Sequence, residues 1–251
     1  MKKLLVVLLG LLMVLGLAGC SEDPTKKSDG VMTFAEYDAA SENTTVVVET
    51  YVQDKQSWWD NKATLYTQDA DGGYFIYNAD MSEEDYNKLE TGTKIKVTGV
   101  KSSWSGEVEI VGSTSDTGAT VEIEKGKWVA EPFDCTDSYS NEAELLKHQN
   151  QKVCFKGVKV LSKKDADGVD HSFLYNWDGS GEAGTDADLY FDCELNGQVR
   201  TFVCEYYLRN ENTDAYKAIQ GLQIGNVVDI EGFMYWYNGP QVHVTSVTAS
   251  K

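Results

Sequence analysis

Apolar and polar residues alternate over short stretches through most of this chain, which is the pattern of strands that bury one face. Thr33 with Glu36 three residues later forms a capping box, so a short helix should run to about Ala40. Ser82, followed by acidic residues, predicts a second helix. Alternating or β-branched runs predict five strands, at residues 45–52, 63–67, 74–77, 93–100 and 107–111.

The second half of the chain repeats this pattern. Seven pairs of similar residues share one offset of 133 positions, as in Leu89 and Leu222 (222 − 89). Chance seldom keeps so many pairs in register, so we predict a duplicated unit. The other six pairs are Gly92/Gly225, Ile95/Val228, Val97/Ile230, Gly99/Gly232, Trp104/Tyr237 and Gly106/Gly239.

The second copy is longer in its middle than the first. Asn141, with Glu144 three residues on, predicts a helix that matches the Thr33 helix, and Tyr37 then aligns with Leu145, an offset of 108. The later offset of 133 leaves 25 extra residues (133 − 108), which are predicted in loops at 162–171 and 178–188.

A hairpin is predicted in the same region. Asn196-Gly197 suits a two-residue turn with positive φ at both positions, which pairs Leu195 with Gln198. This register puts five residues on one predicted core face: Leu189, Phe191, Cys193, Phe202 and Cys204.

Each copy, read in order, has three strands, a helix and two strands. At about 75 residues this order resembles the OB-fold, a five-stranded Greek-key barrel with a helix between strands three and four. The stretch from Leu89 to Gly99 is similar to the passage from helix to strand four in extracytoplasmic bacterial OB domains. The resemblance implies a mainly β protein with two tandem barrels. An open antiparallel sandwich is the alternative, because periodicity alone does not separate the two.

The N-terminus looks like an export signal. Lys2 and Lys3 precede an apolar run, 4–18, which is short for a bilayer-spanning helix of about 20 residues. The run ends in Leu-Ala-Gly and Cys20, which resembles the lipobox of bacterial lipoproteins. That resemblance implies an acylated Cys20, an extracytoplasmic location and a membrane partner; an ordinary secretory signal with a chance cysteine is the alternative.

These patterns predict four segments. Residues 1–19 form the signal peptide, 20–32 a flexible tether, 33–126 the first OB-like domain and 127–251 the second. Residues 120–124 alternate and are predicted to add a strand to the first domain.

The net charge of the chain bears on whether its partner is a nucleic acid. Asp and Glu outnumber Lys and Arg by 40 to 22, and the net charge is −18. Nucleic-acid binding draws most of its affinity from basic side chains, so this balance disfavours nucleic acid as the main partner. The arginines are Arg200 and Arg209 alone, in no recognisable motif, which also argues against a nuclease built on this barrel. We find no catalytic motif in the sequence and predict no cofactor.

Four cysteines besides Cys20 lie in the second copy: Cys135, Cys154, Cys193 and Cys204. An even number in an exported protein suggests disulfides. Cys193 and Cys204 lie four residues apart along the hairpin ladder, about 13 Å by strand rise, which is too far for a bond. We therefore predict buried thiols, with Cys135–Cys154 as the better pair if a disulfide forms. The spacing does not suit zinc.

Two acidic loops are candidate calcium sites. Asp165, Asp167 and Asp170 surround Gly168, and Asp69 and Asp71 precede a Gly-Gly pair. Oxygen ligands at alternate positions suit Ca²⁺, but neither loop completes an EF-hand set. Plain turns are the favoured interpretation.

The stronger functional signal is aromatic. OB-folds bind ligands on strands two and three, between the loop joining strands one and two and the loop joining strands four and five. In the first copy those loops carry Trp58 and Trp59, and Trp104. In the second copy the last loop carries Tyr235, Trp236 and Tyr237.

Such rings can stack on sugars or bases. The alternative is that they cap the barrels or fill the interface between the copies. We expect a non-catalytic, membrane-anchored binding module for a glycan, a peptide or an envelope protein. A single-strand nucleic-acid binder or nuclease accessory is the alternative function.

Overall fold

The computed structural model describes residues 23–250. The predicted signal peptide, 1–19, and the predicted acylation site Cys20 lie outside the described residues. In the part of the chain that the structure describes, no helix is both long and apolar enough to cross a bilayer.

The first sheet closes into a barrel. Its strands are β1 (Thr45–Lys55), β2 (Lys62–Gln68), β3 (Gly73–Asp80), β4 (Thr93–Trp104) and β5 (Glu107–Val111). They follow the order β1-β2-β3-β5-β4, and β4 pairs again with β1. β3 and β5 are parallel, whereas the other pairs around the barrel are antiparallel. This is the strand order of the OB-fold, so the predicted fold class is confirmed. A sixth strand, β6 (Thr120–Lys127), extends the sheet beside β4 as predicted.

The predicted helices of this barrel are present. In α1 (Phe34–Ala39) the Thr33 hydroxyl and the Glu36 carboxylate complete the capping box. In α2 (Glu83–Lys88) the Ser82 side chain accepts the Asp85 N–H. α2 lies between β3 and β4, where the sequence predicts it.

The second sheet closes in the same order. The strands of the second half are β7 (Phe133–Asp134), β8 (Lys152–Val160), β9 (Lys163–Lys164), β10 (Asp170–His171), β11 (Leu174–Tyr175), β12 (Leu189–Leu195), β13 (Gln198–Cys204), β14 (Val227–Phe233) and β15 (His243–Ala249). β8 corresponds to strand one and pairs with both β12 and β14. The order around the barrel is β8-β12-β13-β15-β14, with β13 and β15 parallel. Its helices are α3 (Glu142–Leu146) and α4 (Asp214–Gln220), with a 3₁₀ turn at Thr136–Ser138.

The repeated residues occupy matching interior sites. Ile95 and Val97 on β4 are fully buried, and Val228 and Ile230 are buried on the equivalent strand, β14. The preceding glycines also match, since Gly92 has φ +88° and Gly225 has φ +92°, a region that favours glycine. The extra residues of copy two lie between β8 and β12, where β9, β10 and β11 form short pairings.

The hairpin has the predicted register. Asn196 and Gly197 both have positive φ, and Leu195 pairs with Gln198. Cys193 and Cys204 are buried on the core face, and all four described cysteines are free thiols. Cys135 and Cys154 are neighbours, because the Cys135 N–H donates to the Cys154 carbonyl at 2.9 Å. Burial raises the pKa of Cys135 to about 12, which keeps that thiol protonated.

The segment before the first barrel differs from the prediction of a flexible tether, 20–32. Lys27 pairs with the buried Asp69 carboxylate at 2.5 Å. Met32 pairs with Val48, and its N–H donates to the Val47 carbonyl. The segment therefore follows the surface of the barrel from Lys27 onward, because a buried carboxylate requires a cationic partner.

Candidate ligand-binding cleft between the two barrels

The two barrels meet through an aromatic cluster. Tyr66 on β2 and Phe75 on β3 are 1% and 3% exposed, although both lie on the outer face of the first barrel. They pack with Leu208, Phe233 and Tyr235 of the second barrel. The Tyr66 and Phe233 rings stack with centroids 4.7 Å apart.

This contact corrects the expectation that strands two and three of the first copy are an open ligand face. The second barrel buries much of that face. The outward-facing residues of the first barrel at this point, Tyr66 and Phe75, are aromatic and pack against it. Only the part of the face beyond Phe75 remains open, where Tyr77 is 46% exposed.

Polar contacts also join the barrels. The Arg209 guanidinium pairs with the Asp54 carboxylate. The Ser57 N–H donates to the Tyr207 carbonyl at 2.7 Å. Asp54 and Ser57 flank the start of the loop between β1 and β2, so this loop of the first barrel is held by the segment after β13.

A buried polar network lies at the centre of the contact. The Tyr66 hydroxyl donates to Glu205 Oε2 at 3.0 Å and lies 2.6 Å from His243 Nδ1. Gln56 Nε2 donates to the same Glu205 oxygen. Burial raises the pKa of Tyr66 and of Glu205 and lowers the pKa of His243 to about 3. The imidazole is therefore neutral, and Tyr66 connects groups from both barrels.

We expect Tyr66→Phe to destabilise the protein by about 1–3 kcal/mol, because it leaves Glu205 and His243 without their shared partner in a buried interface. Chemical denaturation measures this loss. Tyr77→Phe, which removes an exposed hydroxyl from the next strand, is the control and should leave the free energy of unfolding unchanged.

Beside this network the barrels enclose a cleft of about 780 Å³. Aromatic side chains from both barrels line it. Trp59 is 75% exposed, Trp104 55% and Tyr207 54%. Phe75, Tyr77 and Tyr235 also line it. Tyr235 is held in place by His243, with the rings stacked at a centroid distance of 4.0 Å.

The polar lining is neutral to acidic. Gln56 and Asn78 supply amides, and Glu109 and Glu205 supply carboxyl groups whose pKa values are raised by burial. Lys62, the one lysine or arginine among the described lining residues, pairs with Asp80. The cleft therefore combines exposed rings with hydrogen-bonding groups and offers little positive charge.

The structure separates the six aromatic residues predicted from sequence into two groups. Trp59, Trp104 and Tyr235 line the cleft. The other three do not: Trp58 is half-buried and donates its indole N–H to the Met81 carbonyl at 2.9 Å. Trp236 and Tyr237 belong to the interface between the loops that follow strand four in each barrel.

That interface has tight contacts. The Tyr237 ring lies 5.2 Å from Trp104, and the Asn238 N–H donates to the Ser105 carbonyl at 2.7 Å. A Cβ on Gly106 would lie 2.7 Å from the Trp236 ring. Trp104 and Tyr237 are one of the repeated pairs, so equivalent positions of the two copies touch each other. Tyr237 and Trp236 therefore fill the interface between the copies, which the sequence analysis gave as the alternative to ligand binding.

Glu107 lies beneath this loop contact as a fully buried carboxyl group. Its Oε2 accepts the Trp236 N–H at 2.8 Å and the Gln149 amide at 3.2 Å. Its Oε1 has no hydrogen-bond partner. Burial raises the pKa of Glu107 to about 8, so this group is mostly protonated at neutral pH although it joins the two barrels.

Comparisons with known proteins add little to this geometry. No protein-family model matches the chain, and no curated protein matches it. Among solved structures, the chain is similar to the crystal structure of the tetrameric p202 HIN2, with 11% sequence identity and a TM-score of 0.31. The similarity covers 84% of this chain and 96% of that chain. A likeness of this size carries no inference about what the chain binds.

Several cleft residues were not singled out from the sequence. Tyr77 follows Phe75 by two residues on a predicted strand, so strand alternation places both on the outer face and was an available signal. Glu205 and Tyr207 come after β13, in a segment without a motif. His243 begins β15, and its role depends on the neighbouring barrel, which no local pattern encodes.

The carboxylates of the acidic loop at residues 165–170 are engaged in local contacts. Asp165 accepts the Asp167 and Val169 N–H groups and pairs with His171. Asp170 pairs with Lys164 at 3.0 Å. Among the described residues, no group of three or more His, Cys, Asp or Glu side chains is arranged to hold a metal ion. These contacts hold the loop in a hydrogen-bonded turn.

Proposed function

We propose that this chain is a non-catalytic binding module outside the cytoplasm, anchored to a membrane through an acylated Cys20, and that its ligand is a glycan. The observation that carries the glycan proposal is the convergence of exposed aromatic rings from both barrels on one cleft. Trp59 and Tyr77 come from the first barrel and Tyr207 from the second.

The lining supports an uncharged sugar chain. Aromatic faces pack against the C–H faces of sugar rings, while amide and carboxyl groups hydrogen-bond to hydroxyls, as in ligand sites that combine apolar walls with a few polar groups. The cleft volume of about 780 Å³ is within the usual range for small ligands and suits a few sugar units. OB-folds also bind oligosaccharides in this region.

A single-stranded nucleic acid is the alternative ligand. A phosphate backbone requires basic side chains along its path, and Lys62 is already paired with Asp80. The net charge of −18 adds a long-range repulsion.

The test is a glycan array and an oligonucleotide array, each probed with the purified protein at physiological salt. We expect binding to a set of neutral glycans and none to oligonucleotides. Binding to oligonucleotides alone would overturn the glycan proposal.

The membrane anchor has its own test. Replacing Cys20 with serine removes the thiol that would carry the acyl chains, whose burial contributes roughly 0.8 kcal/mol per CH₂. We expect the variant to leave the membrane fraction of the cells that express it, as measured by fractionation and immunoblotting. Cys154→Ser is the matched control and should remain in the membrane fraction. An unchanged membrane fraction for Cys20→Ser would refute the anchor.

A further inference from the structure

One carboxyl group in the lining of the aromatic cleft has no partner. It belongs to Glu109 on β5, which lies between Ser102 of β4 and Phe75 of β3 in the register of the sheet. The residues on either side of it, Val108 and Ile110, pack in or against the core of the first barrel. Strand alternation therefore directs the Glu109 side chain outward, into the cleft that it lines.

The surroundings of Glu109 are unusual for a carboxyl group. The residue is only 8% exposed. Among the described residues, no group donates a hydrogen bond to its carboxyl oxygens and no cation pairs with them. Both oxygens nevertheless keep accessible surface, unlike Glu107 Oε1, which is fully enclosed. Because buried polar groups normally have hydrogen-bond partners, a ligand that displaces solvent from the cleft must supply the donors for Glu109.

The other polar groups near Glu109 are already engaged. Glu205 accepts hydrogen bonds from the Tyr66 hydroxyl and from the Gln56 amide. The Phe75 ring beside Glu109 packs edge-to-face against Tyr235 of the second barrel, with centroids 5.3 Å apart. Glu109 is therefore an open pair of acceptor oxygens next to aromatic rings from both barrels.

The chemistry of the carboxyl group limits what it can bind. A carboxyl group repels phosphate and acidic sugars. Burial raises the pKa of Glu109, which disfavours its ionised form and so weakens the attraction for a cation. Neutral hydroxyl donors remain favourable, and two oxygens on one carbon can accept from two donors on neighbouring atoms.

We propose that Glu109 recognises two adjacent hydroxyls of one sugar unit, so that the ligand is a glycan whose linkages leave such a diol free along the chain. This inference rests on the proposed glycan function of the cleft and adds the linkage that the cleft selects. A 1,4-linked hexose chain keeps adjacent hydroxyls on every internal unit. A 1,3-linked chain keeps them only on its end units. The sugar ring packs on the aromatic side chains and presents its hydroxyls edgewise to Glu109.

The test is isothermal titration of the purified protein with hexasaccharides of equal length. Cellohexaose, maltohexaose and β-1,4-mannohexaose carry the diol along the chain, whereas laminarihexaose is 1,3-linked. A glucosamine hexamer is the cationic arm. We expect at least one of the three 1,4-linked sugars to bind about tenfold more tightly than laminarihexaose, or more, the effect of one or two hydrogen bonds.

Variants separate the role of Glu109 from that of the rings. Glu109→Gln keeps the shape and one acceptor oxygen, and should weaken binding of the preferred hexasaccharide about tenfold. Glu109→Ala should bring the ratio of the two affinities close to one. Neither change removes a hydrogen bond within the described residues, so Glu109→Gln should not lower the melting temperature. Glu122→Ala, at an exposed position on β6, is the matched control and should leave both affinities unchanged.

Trp59→Ala should weaken binding of the 1,4-linked and 1,3-linked sugars alike, because both stack on the ring. Equal affinity of the wild type for both linkages, or an unchanged ratio in Glu109→Ala, would overturn the diol inference while loss of binding in Trp59→Ala upholds the glycan cleft. Preference for the glucosamine hexamer would assign Glu109 to an ammonium group and overturn the diol inference. Binding of none of these sugars would overturn the glycan function as well.

Discussion

Replacing both Trp59 and Tyr77 with alanine is expected to abolish glycan binding while leaving the melting temperature nearly unchanged. The two rings are 75% and 46% exposed and project into the cleft from one barrel. Truncating aromatic residues at the centre of a binding site typically costs 2 kcal/mol or more. The pair should therefore weaken binding at least about 100-fold, as measured by isothermal titration with the best glycan from the array.

The small effect on stability follows from the contacts of these rings. Trp59 pairs with Lys62 through backbone groups, which alanine retains. Tyr77 contacts Phe75 at a centroid distance of 6.4 Å and leaves the interface cluster in place. Trp177→Ala is the matched control, because this tryptophan is 73% exposed and lies outside the cleft. Full affinity in the double variant would show that the ligand binds elsewhere.

The second large effect concerns Glu107 and pH. The pKa of this carboxyl is raised from 4.5 to about 8 in the folded protein. Between these pH values the folded state holds a proton that the unfolded state has released. The free energy of unfolding should therefore fall as pH rises through this window and level off above about pH 8.

Glu107→Gln removes this titration and keeps an oxygen that accepts the Trp236 and Gln149 N–H groups. In the wild type each bound proton contributes about 1.4 kcal/mol per pH unit, so Glu107 alone accounts for a loss on the order of 2 kcal/mol from pH 6.5 to 8. We expect the free energy of unfolding to fall less in the variant than in the wild type over this interval. At pH 9 the variant should be the more stable protein. Denaturant unfolding at several pH values measures both.

Above pH 6.5 the pH dependence of stability due to Glu107 is separate from that due to His243. The pKa of His243 is lowered from 6.5 to about 3 in the folded protein. As pH falls below 6.5, this histidine therefore takes up a proton in the unfolded chain but not in the folded protein, and the free energy of unfolding decreases. The exposed Glu131 is the control position, where glutamine makes the same change of charge. Parallel curves for Glu107→Gln and the wild type would mean that Glu107 is already ionised in the folded protein.

Local patterns in the sequence were sufficient to predict the main strands, the helices and the hairpin turn of the two copies. Strand alternation, the capping residues Thr33 and Ser82, and the Asn196-Gly197 turn act over a few residues, and each has the conformation predicted from it. The duplication then supplied the topology, because glycines and core residues with one common offset mark equivalent points of one barrel. These signals are local or repeated, which is why they can be read without a structure.

The binding surface depended on how the barrels pack. The sequence nominated aromatic loops, but Trp236 and Tyr237 turned out to join the barrels while Tyr77, Tyr207 and Glu205 line the cleft. Whether an outward ring is buried or open depends on a surface more than a hundred residues away in the chain. The sequence by itself therefore determined two copies of one β-rich unit, their strand order and the aromatic character of their loops, while closure of each sheet was shown by the pairing of its first and fourth strands. Only the tertiary structure decided which rings meet each other, because the contact between the barrels buries side chains that every local pattern assigns to the outside.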